Sequence, residues 1–237
     1  FGALGIYASY GLTPILAFLL GFFLISRVCK YRPFPSVKRE VINDLFHFSS
    51  GNYIARIFEM LPTFVLPIMV VNVLGAEKNA YFYIAWQISM LLLAIPRWTS
   101  MSLLAEGSYN QEEIIWNARR AMKFILISLA VAIVGIFLFG KHLLWIFGEE
   151  YAKNSLDVLL ILVLGSIPFA FNAVYASIKR VQKEIKPVIW VYGGIAIIAL
   201  VAGYFLMQVY GIEGVGMSWL AGNIAVTAGI GIRRIQR

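Results

Sequence analysis

Apolar residues run through this chain in long blocks, separated by short polar stretches that are rich in Lys and Arg. Seven blocks reach about 20–25 residues, the length that a helix needs to cross a hydrocarbon core ~30 Å thick. They cover approximately 2–26, 51–74, 80–104, 120–139, 156–178, 187–209 and 213–232. Blocks of this length exceed a barrel strand, so the pattern predicts an all-α, polytopic membrane helix bundle of about seven transmembrane helices. After the first block comes the Pro33-Phe34-Pro35 break. Val37, Val41, Leu45 and Phe48 then recur at helical spacing with Lys38, Arg39, Glu40 and Asp44 between them. That spacing fits a short amphipathic helix on the membrane interface, and equally a solvated linker. Gly75 to Asn79 is a tight loop that makes the second and third blocks an antiparallel hairpin. Asn110 and Glu113 fit a capping box ahead of the fourth block. Ser155 is placed to cap the fifth, and Asp157 suits the positive end of its dipole. Pro187 and the Tyr210-Gly211 turn mark the starts of the last two.

Composition supports the membrane reading: 60% of the residues are hydrophobic and 14% charged, with a mean hydropathy of +0.79. The net charge of +8 acquires a meaning once the loops are ordered. With the N-terminal residue outside, basic residues fall on the inner side at every second loop, from Arg27 to Arg39, Arg119 to Lys123, Lys179 to Lys186 and Arg233 to Arg237. Only Lys78, Lys141 and Lys153 fall outside, and Arg56 and Arg97 are embedded. This is the positive-inside pattern of a multi-pass protein with a cytoplasmic C-terminus. It leaves no basic run for nucleic acid. Cys29, the one cysteine, excludes an intramolecular disulfide. His47 and His142 lack ligand spacing, so no metal site is expected. The chain opens on Phe1 inside an apolar run with no basic leader, which predicts the C-terminal part of something longer.

The second block is the chemically unusual one. On a helix Asn52, Arg56, Glu59 and Thr63 form one polar stripe, and ionisable groups at membrane depth usually face a bundle interior or a wet cavity. Arg56 lies roughly 10 Å into the membrane from Ser49, and Arg97 roughly 13 Å in from Glu106 on the same side. Two guanidinium forks at similar depth suit a diphosphate. Mutual neutralisation of Arg56 by Glu59, and snorkelling of Arg97 beside Trp98, are the plainer alternatives. Pro62, Pro67, Pro96 and Pro168 each remove a helix hydrogen bond, giving hinge points or static bends. Trp116, Trp145, Trp190 and Trp219 sit near predicted span ends, as interfacial anchors. No catalytic triad, phosphate-binding glycine loop or metal spacing is present, so neither catalytic residues nor direct use of ATP are expected.

The first and last blocks echo each other. FGALGIYASYG from Phe1 aligns with YGIEGVGMSWL from Tyr210, matching Gly2 with Gly211, Gly5 with Gly214 and Ser9 with Ser218. This suggests two parallel repeats of six helices, a transporter arrangement. The run FSSGNYIARIFEMLPTFVLPIMVVNVLGAEKNAYFYIAWQISMLL resembles the seventh and eighth helices of polysaccharide-biosynthesis flippases. SMSLLAEGS, LLWIFGEEYAKNS and YGIEGVGMSWL resemble later parts of the same family. Those flippases belong to the multidrug/oligosaccharidyl-lipid/polysaccharide exporter superfamily, with multidrug and toxin exporters and the lipid II flippase.

The resemblance implies a two-lobed helical transporter of the cytoplasmic membrane that carries isoprenoid diphosphate-linked oligosaccharides to the outer leaflet by alternating access. On that reading residues 1–27 are the last helix of the first lobe, 28–50 a cytoplasmic inter-lobe linker and 51–237 the six-helix second lobe. Asn52, Arg56, Glu59 and Arg97 would meet the substrate. The missing N-terminal lobe and the bilayer would be the partners, and any coupling Na+ or H+ would bind outside this stretch. A drug/cation antiporter of the same superfamily is the nearest alternative, and a membrane glycosyl- or acyltransferase a more distant one.

Overall fold

The computed structural model describes residues 2–28 and 39–235, all in α-helices or the turns between them. The Pro33-Phe34-Pro35 break and the front of the expected amphipathic helix lie outside these residues. The helices are α1 (Gly2–Val28), α2 (Arg39–Leu74), α3 (Ala76–Tyr109), α4 (Ile114–Trp145), α5 (Glu149–Asn154), α6 (Leu156–Leu164), α7 (Ser166–Val181) and α8 (Ile185–Ile235). Six stretches are long and apolar enough to cross a membrane. The last of them, Ile185–Ile232, has 48 residues. At 1.5 Å per residue that is roughly 70 Å, more than twice the hydrocarbon thickness, so it makes two passes. Gly211, at φ 61 and ψ −141, is the break between them. The multi-pass helical bundle expected from the hydrophobic blocks is therefore the fold observed.

The chain divides into two compact units, Phe1–Leu45 and Phe46–Arg237. In the first, α1 is apolar on every side, with Tyr7, Tyr10, Phe18 and Leu20 all exposed. Such a helix is suited to lipid or to other helices.

In the second unit α3 is central, because its buried positions form a continuous face. Phe82, Trp86, Ser89, Leu93, Pro96, Ser100, Leu103 and Gly107 recur every three to four residues. Inside a membrane no hydrophobic drive holds helices together, so close packing through small residues must do it. Gly107 meets Ile114 and Val181 so closely that a Cβ would collide with both. Nearby, the Ser177 hydroxyl of α7 donates to the Ser100 carbonyl at 2.6 Å. The two halves of α8 pair still more tightly. Gly203 faces Ser218, Gly222 faces the Ile195 carbonyl, and Gly214 lies directly on the Leu206 carbonyl. These pairs run in opposite directions along the two segments, which defines an antiparallel hairpin. Gly51 against Ile185, Phe58 against Gly193 and Leu66 against Gly203 set α2 parallel to the first half of α8.

Several local expectations change in the structure. Residues 39–50 are helical and run on into the second block without a break, in α2 from Arg39 to Leu74. Asn110 ends α3 and Glu113 precedes α4 without a side-chain cap, so no capping box forms. Ser155 does precede α6, yet its hydroxyl makes no cap bond and is buried without a partner. The block at 156–178 is two helices, α6 and α7, joined at Gly165. Trp116, Trp145 and Trp190 are exposed, whereas Trp219 is 5% exposed and belongs to the core. Its ring meets Trp86 edge-on at 5.3 Å and lies 6.2 Å from Phe169, because Gly165 leaves room for the indole.

Candidate functional site

The polar stripe of α2 sits beside that helix's packed face. Gly51, Ala55, Pro62, Leu66 and Val70 are buried, while Asn52, Glu59 and Thr63 are half-buried and Arg56 is exposed. A stripe at the edge of a packed face can reach groups on neighbouring helices and still be approached by a ligand. Glu59 uses the first property. One carboxylate oxygen accepts a hydrogen bond from an Arg56 terminal nitrogen at 3.0 Å, and the other lies 3.2 Å from Arg97 Nε on α3. Side-chain exposure falls from 53% at Arg56 through 28% at Arg97 to 7% at Glu59. The acid is the enclosed member, and the two cations flank it.

Arg97 therefore does not snorkel away from the bundle. Its guanidinium turns inward and lies 5.8 Å from the Phe169 ring centroid, while its neighbour Trp98 is exposed. The guanidinium thus lies between an aromatic ring and a carboxylate, and its Nε is buried without a hydrogen-bond partner. The Arg56–Glu59 pairing expected from their spacing is present, and it is shared with a second helix. With two positive groups on one negative group, the trio carries a net single positive charge.

Asn52, one turn nearer the N-terminal end of α2, is tied differently. Its amide nitrogen donates to the Phe48 carbonyl at 3.1 Å, and its amide oxygen accepts from Arg180 Nε at 3.1 Å. Arg180 also lies over the Tyr192 ring at 5.5 Å. In the sequence Arg180 reads as one more basic loop residue. The signal that identifies it is periodic: Phe169, Ala173 and Ala176 are buried on one face of α7, and Arg180 is the next position on that face. Between Asn52 and Glu59 the α2 axis rises roughly 10 Å. Arg180 thus meets this edge of α2 at the level of Asn52, and Arg97 meets it about two turns on at Glu59, which Arg56 of α2 also pairs. Thr63 extends the edge further.

The prolines fall into two groups. Pro62 and Pro67 lie inside α2, and Pro96 lies inside α3, with the helix continuing through each. Pro168 is in the first turn of α7, just past the Gly165 junction, where a missing N–H costs little. Its carbonyl accepts from Thr227 at 3.2 Å. The same hydroxyl lies 3.0 Å from the Asn172 side-chain oxygen, an alternative acceptor for its one proton, and Asn172 donates to the Asn223 carbonyl at 3.1 Å. This network ties the first turns of α7 to the last span. Among the described residues no cluster of three or more His, Cys, Asp or Glu could hold a metal ion. His47's side chain lies outside the described set.

No family model matches the chain. It is 27% identical over 183 residues to the "Putative O-antigen transporter" of Shigella flexneri, covering 74% of this chain and 43% of that protein. In structure it is similar to MATE in complex with MaD5, with a TM-score of 0.79 at 17% identity, over 97% of this chain and 54% of the other. It is also similar to the lipid II flippase MurJ in its inward closed conformation, with a TM-score of 0.69 at 14% identity, covering 89% and 46%. The chain spans about half the length of these relatives.

Proposed function

We propose, from the premise that this chain belongs to the multidrug/oligosaccharidyl-lipid/polysaccharide exporter superfamily, that it forms one lobe of a flippase for isoprenoid-diphosphate-linked oligosaccharides. The observation that carries this reading is the pair of guanidinium groups from α2 and α3 converging on one carboxylate. Arg56 supplies exposed N–H donors, and Arg97 supplies a guanidinium beside the Phe169 ring whose Nε has no hydrogen-bond partner. A diphosphate takes charge-assisted bonds from both. Arg180, about a turn closer to the basic loops, offers an earlier contact for an anion arriving from the cytoplasmic side. The lipid tail remains in the bilayer while the head group crosses the wet, basic path between two lobes. Rocking of one lobe against the other moves that path from the cytoplasmic to the outer face, and Pro62, Pro67, Pro96 and Pro168, each lacking an N–H to donate, are where the spans can flex. A gradient of Na+ or H+, or the membrane potential, drives the cycle, which takes place in the cytoplasmic membrane with the C-terminus inside.

The sequence kinship to a protein described as an O-antigen transporter favours a glycan over a drug. Glu59 is tied to two arginines, which suits an anion site better than a site for a cationic drug. The test is complementation of a polysaccharide-export defect with the full-length gene, comparing wild type with Arg56→Ala, Arg97→Ala and the double variant. Reduced surface glycan in the variants supports the site. Full export by the double variant removes it, and drug resistance in place of glycan export by the wild type replaces the flippase by an antiporter.

A further inference from the structure

Glu59 has a role in this site that charge attraction alone does not give it. One carboxylate oxygen is hydrogen-bonded by Arg56 at 3.0 Å, the other is ion-paired with Arg97 Nε at 3.2 Å without hydrogen-bond alignment, and the Glu59 side chain is the most enclosed of the three. The two donors lie within about 9 Å of each other, since the two oxygens of one carboxylate are only ~2 Å apart. An anion that takes both arginines at once must therefore displace a carboxylate that is covalently attached to α2. We infer that Glu59 is a built-in counter-anion that screens ligands by charge, admitting a diphosphate and refusing the single-charge phosphodiester of ordinary anionic phospholipids.

The inference rests on the diphosphate reading of the site and follows from competition at a fixed place. A phosphodiester brings one charge spread over two free oxygens, which matches what Glu59 already provides. Glu59 competes at the high effective concentration of a tethered group, so the phosphodiester gains nothing by exchange. Exchange would also leave a nearly enclosed carboxylate without partners, which is unfavourable. A diphosphate carries more charge over more oxygens. It can first engage the donors of Arg56 that Glu59 leaves unused, because a guanidinium has five N–H groups and Arg56 is half exposed. It can then take Arg97 through its second phosphate. Anionic phospholipids are abundant in the cytoplasmic leaflet, so a two-arginine site open to lipid needs such a screen.

The test uses the intact protein in detergent, titrated with farnesyl diphosphate and with short-chain phosphatidylglycerol, for wild type and Glu59→Gln. The amide keeps the shape of the side chain and removes its charge. The expected result is a preference of the wild type for the diphosphate, and a fall in that preference of tenfold or more in Glu59→Gln because phosphatidylglycerol now binds more tightly. An unchanged preference, or equal weakening for both ligands, overturns the screening role while leaving the arginine site standing. A wild type that binds no farnesyl diphosphate overturns the site reading itself. If Glu59→Gln does not survive purification, Glu59→Asp retracts the carboxylate by one methylene and must lower the preference in the same direction. A Glu59→Asp variant with wild-type preference overturns the inference.

Discussion

The hairpin made by the last two spans gives the sharpest quantitative test of the packing. At Gly214 a Cβ would overlap the Leu206 carbonyl and press on the Met207 nitrogen, both of them backbone atoms of the facing segment. A carbon–carbon contact wants about 3.5–4.0 Å, so Gly214→Ala must push the two segments apart by about 1 Å. The neighbouring contacts Gly203 to Ser218, Gly222 to Ile195, and the bond from the Ser218 hydroxyl to the Ala199 carbonyl at 3.0 Å stretch with it. Overpacking that backbone cannot relieve costs about 3 kcal/mol, the upper end of the usual range. Alanine returns up to ~1 kcal/mol through its higher helix propensity. The net expectation is a loss of about 2 kcal/mol. At Gly229, on the same helix, an added methyl would have nothing within 4 Å, so Gly229→Ala keeps only the propensity gain. The assay is thermal unfolding of the purified protein in detergent, with the two variants measured side by side. If Gly214→Ala melts with or above Gly229→Ala, the two segments do not approach as closely as described, and the reasoning about small residues in this hairpin fails.

Three further outcomes follow from other parts of the fold. Lys183 has φ 59 at the end of α7, where the Glu184 N–H bonds the Lys179 carbonyl at 2.8 Å and the Lys183 N–H bonds the Arg180 carbonyl at 3.0 Å. This is a Schellman ending with a lysine where glycine is preferred, so Lys183→Gly should raise stability by about 0.5–1 kcal/mol in the same unfolding assay. Asn223→Leu removes the side-chain acceptor for Asn172 at 3.3 Å and the donor to the Trp219 carbonyl at 2.9 Å but keeps the Asn223 carbonyl as a partner for Asn172; losing these two buried bonds should cost about 1–3 kcal/mol in the same assay. Arg97→Lys keeps the charge but loses the planar fork held between Glu59 and Phe169, so glycan export in the complementation assay should fall further than with Arg56→Lys, whose guanidinium is the more exposed.

Among the described residues the hydrophobic blocks coincide with the six long apolar helical stretches, because block length is a one-dimensional property that the bilayer reads directly. Gly211 is visible as a turn for the same reason, since a break between two apolar runs needs a residue that tolerates positive φ. The local caps are less legible. Asn110 and Glu113 have the spacing of a capping box, but the chain between α3 and α4 bonds through its backbone, with Ile114 N–H on the Gln111 carbonyl and Asn117 N–H on the Glu113 carbonyl. Trp219 departs from its expected interfacial place because position along a span and depth in the bundle are separate coordinates. A tryptophan near the end of a segment anchors at the interface only if it faces outward, and the small residue that draws this one inward, Gly165, lies on another part of the bundle.

The charged cluster shows the same limit from the other side. The spacing of Asn52, Arg56 and Glu59 on one edge of α2 can be read from the sequence, since i, i+3 and i+4 neighbours follow from helix geometry alone. That Glu59 is shared with Arg97, and Asn52 with Arg180, depends on how α3 and α7 rotate about their own axes. Those rotations are set by the buried faces of Phe82 to Gly107 and Phe169 to Val181, which carry no charge. The apolar packing thus decides which cations reach the stripe. It follows that a substitution far from the charges can alter the site: Gly107→Ala, which would collide with Ile114 and Val181, should displace α7 relative to α3 and loosen Arg180 from Asn52. Loss of glycan export in Gly107→Ala while Gly135→Ala, where a methyl meets nothing within 4 Å, exports normally would show that the register of these helices, and not charge alone, builds the site. Normal export by both would separate the site from the packing and refute that dependence.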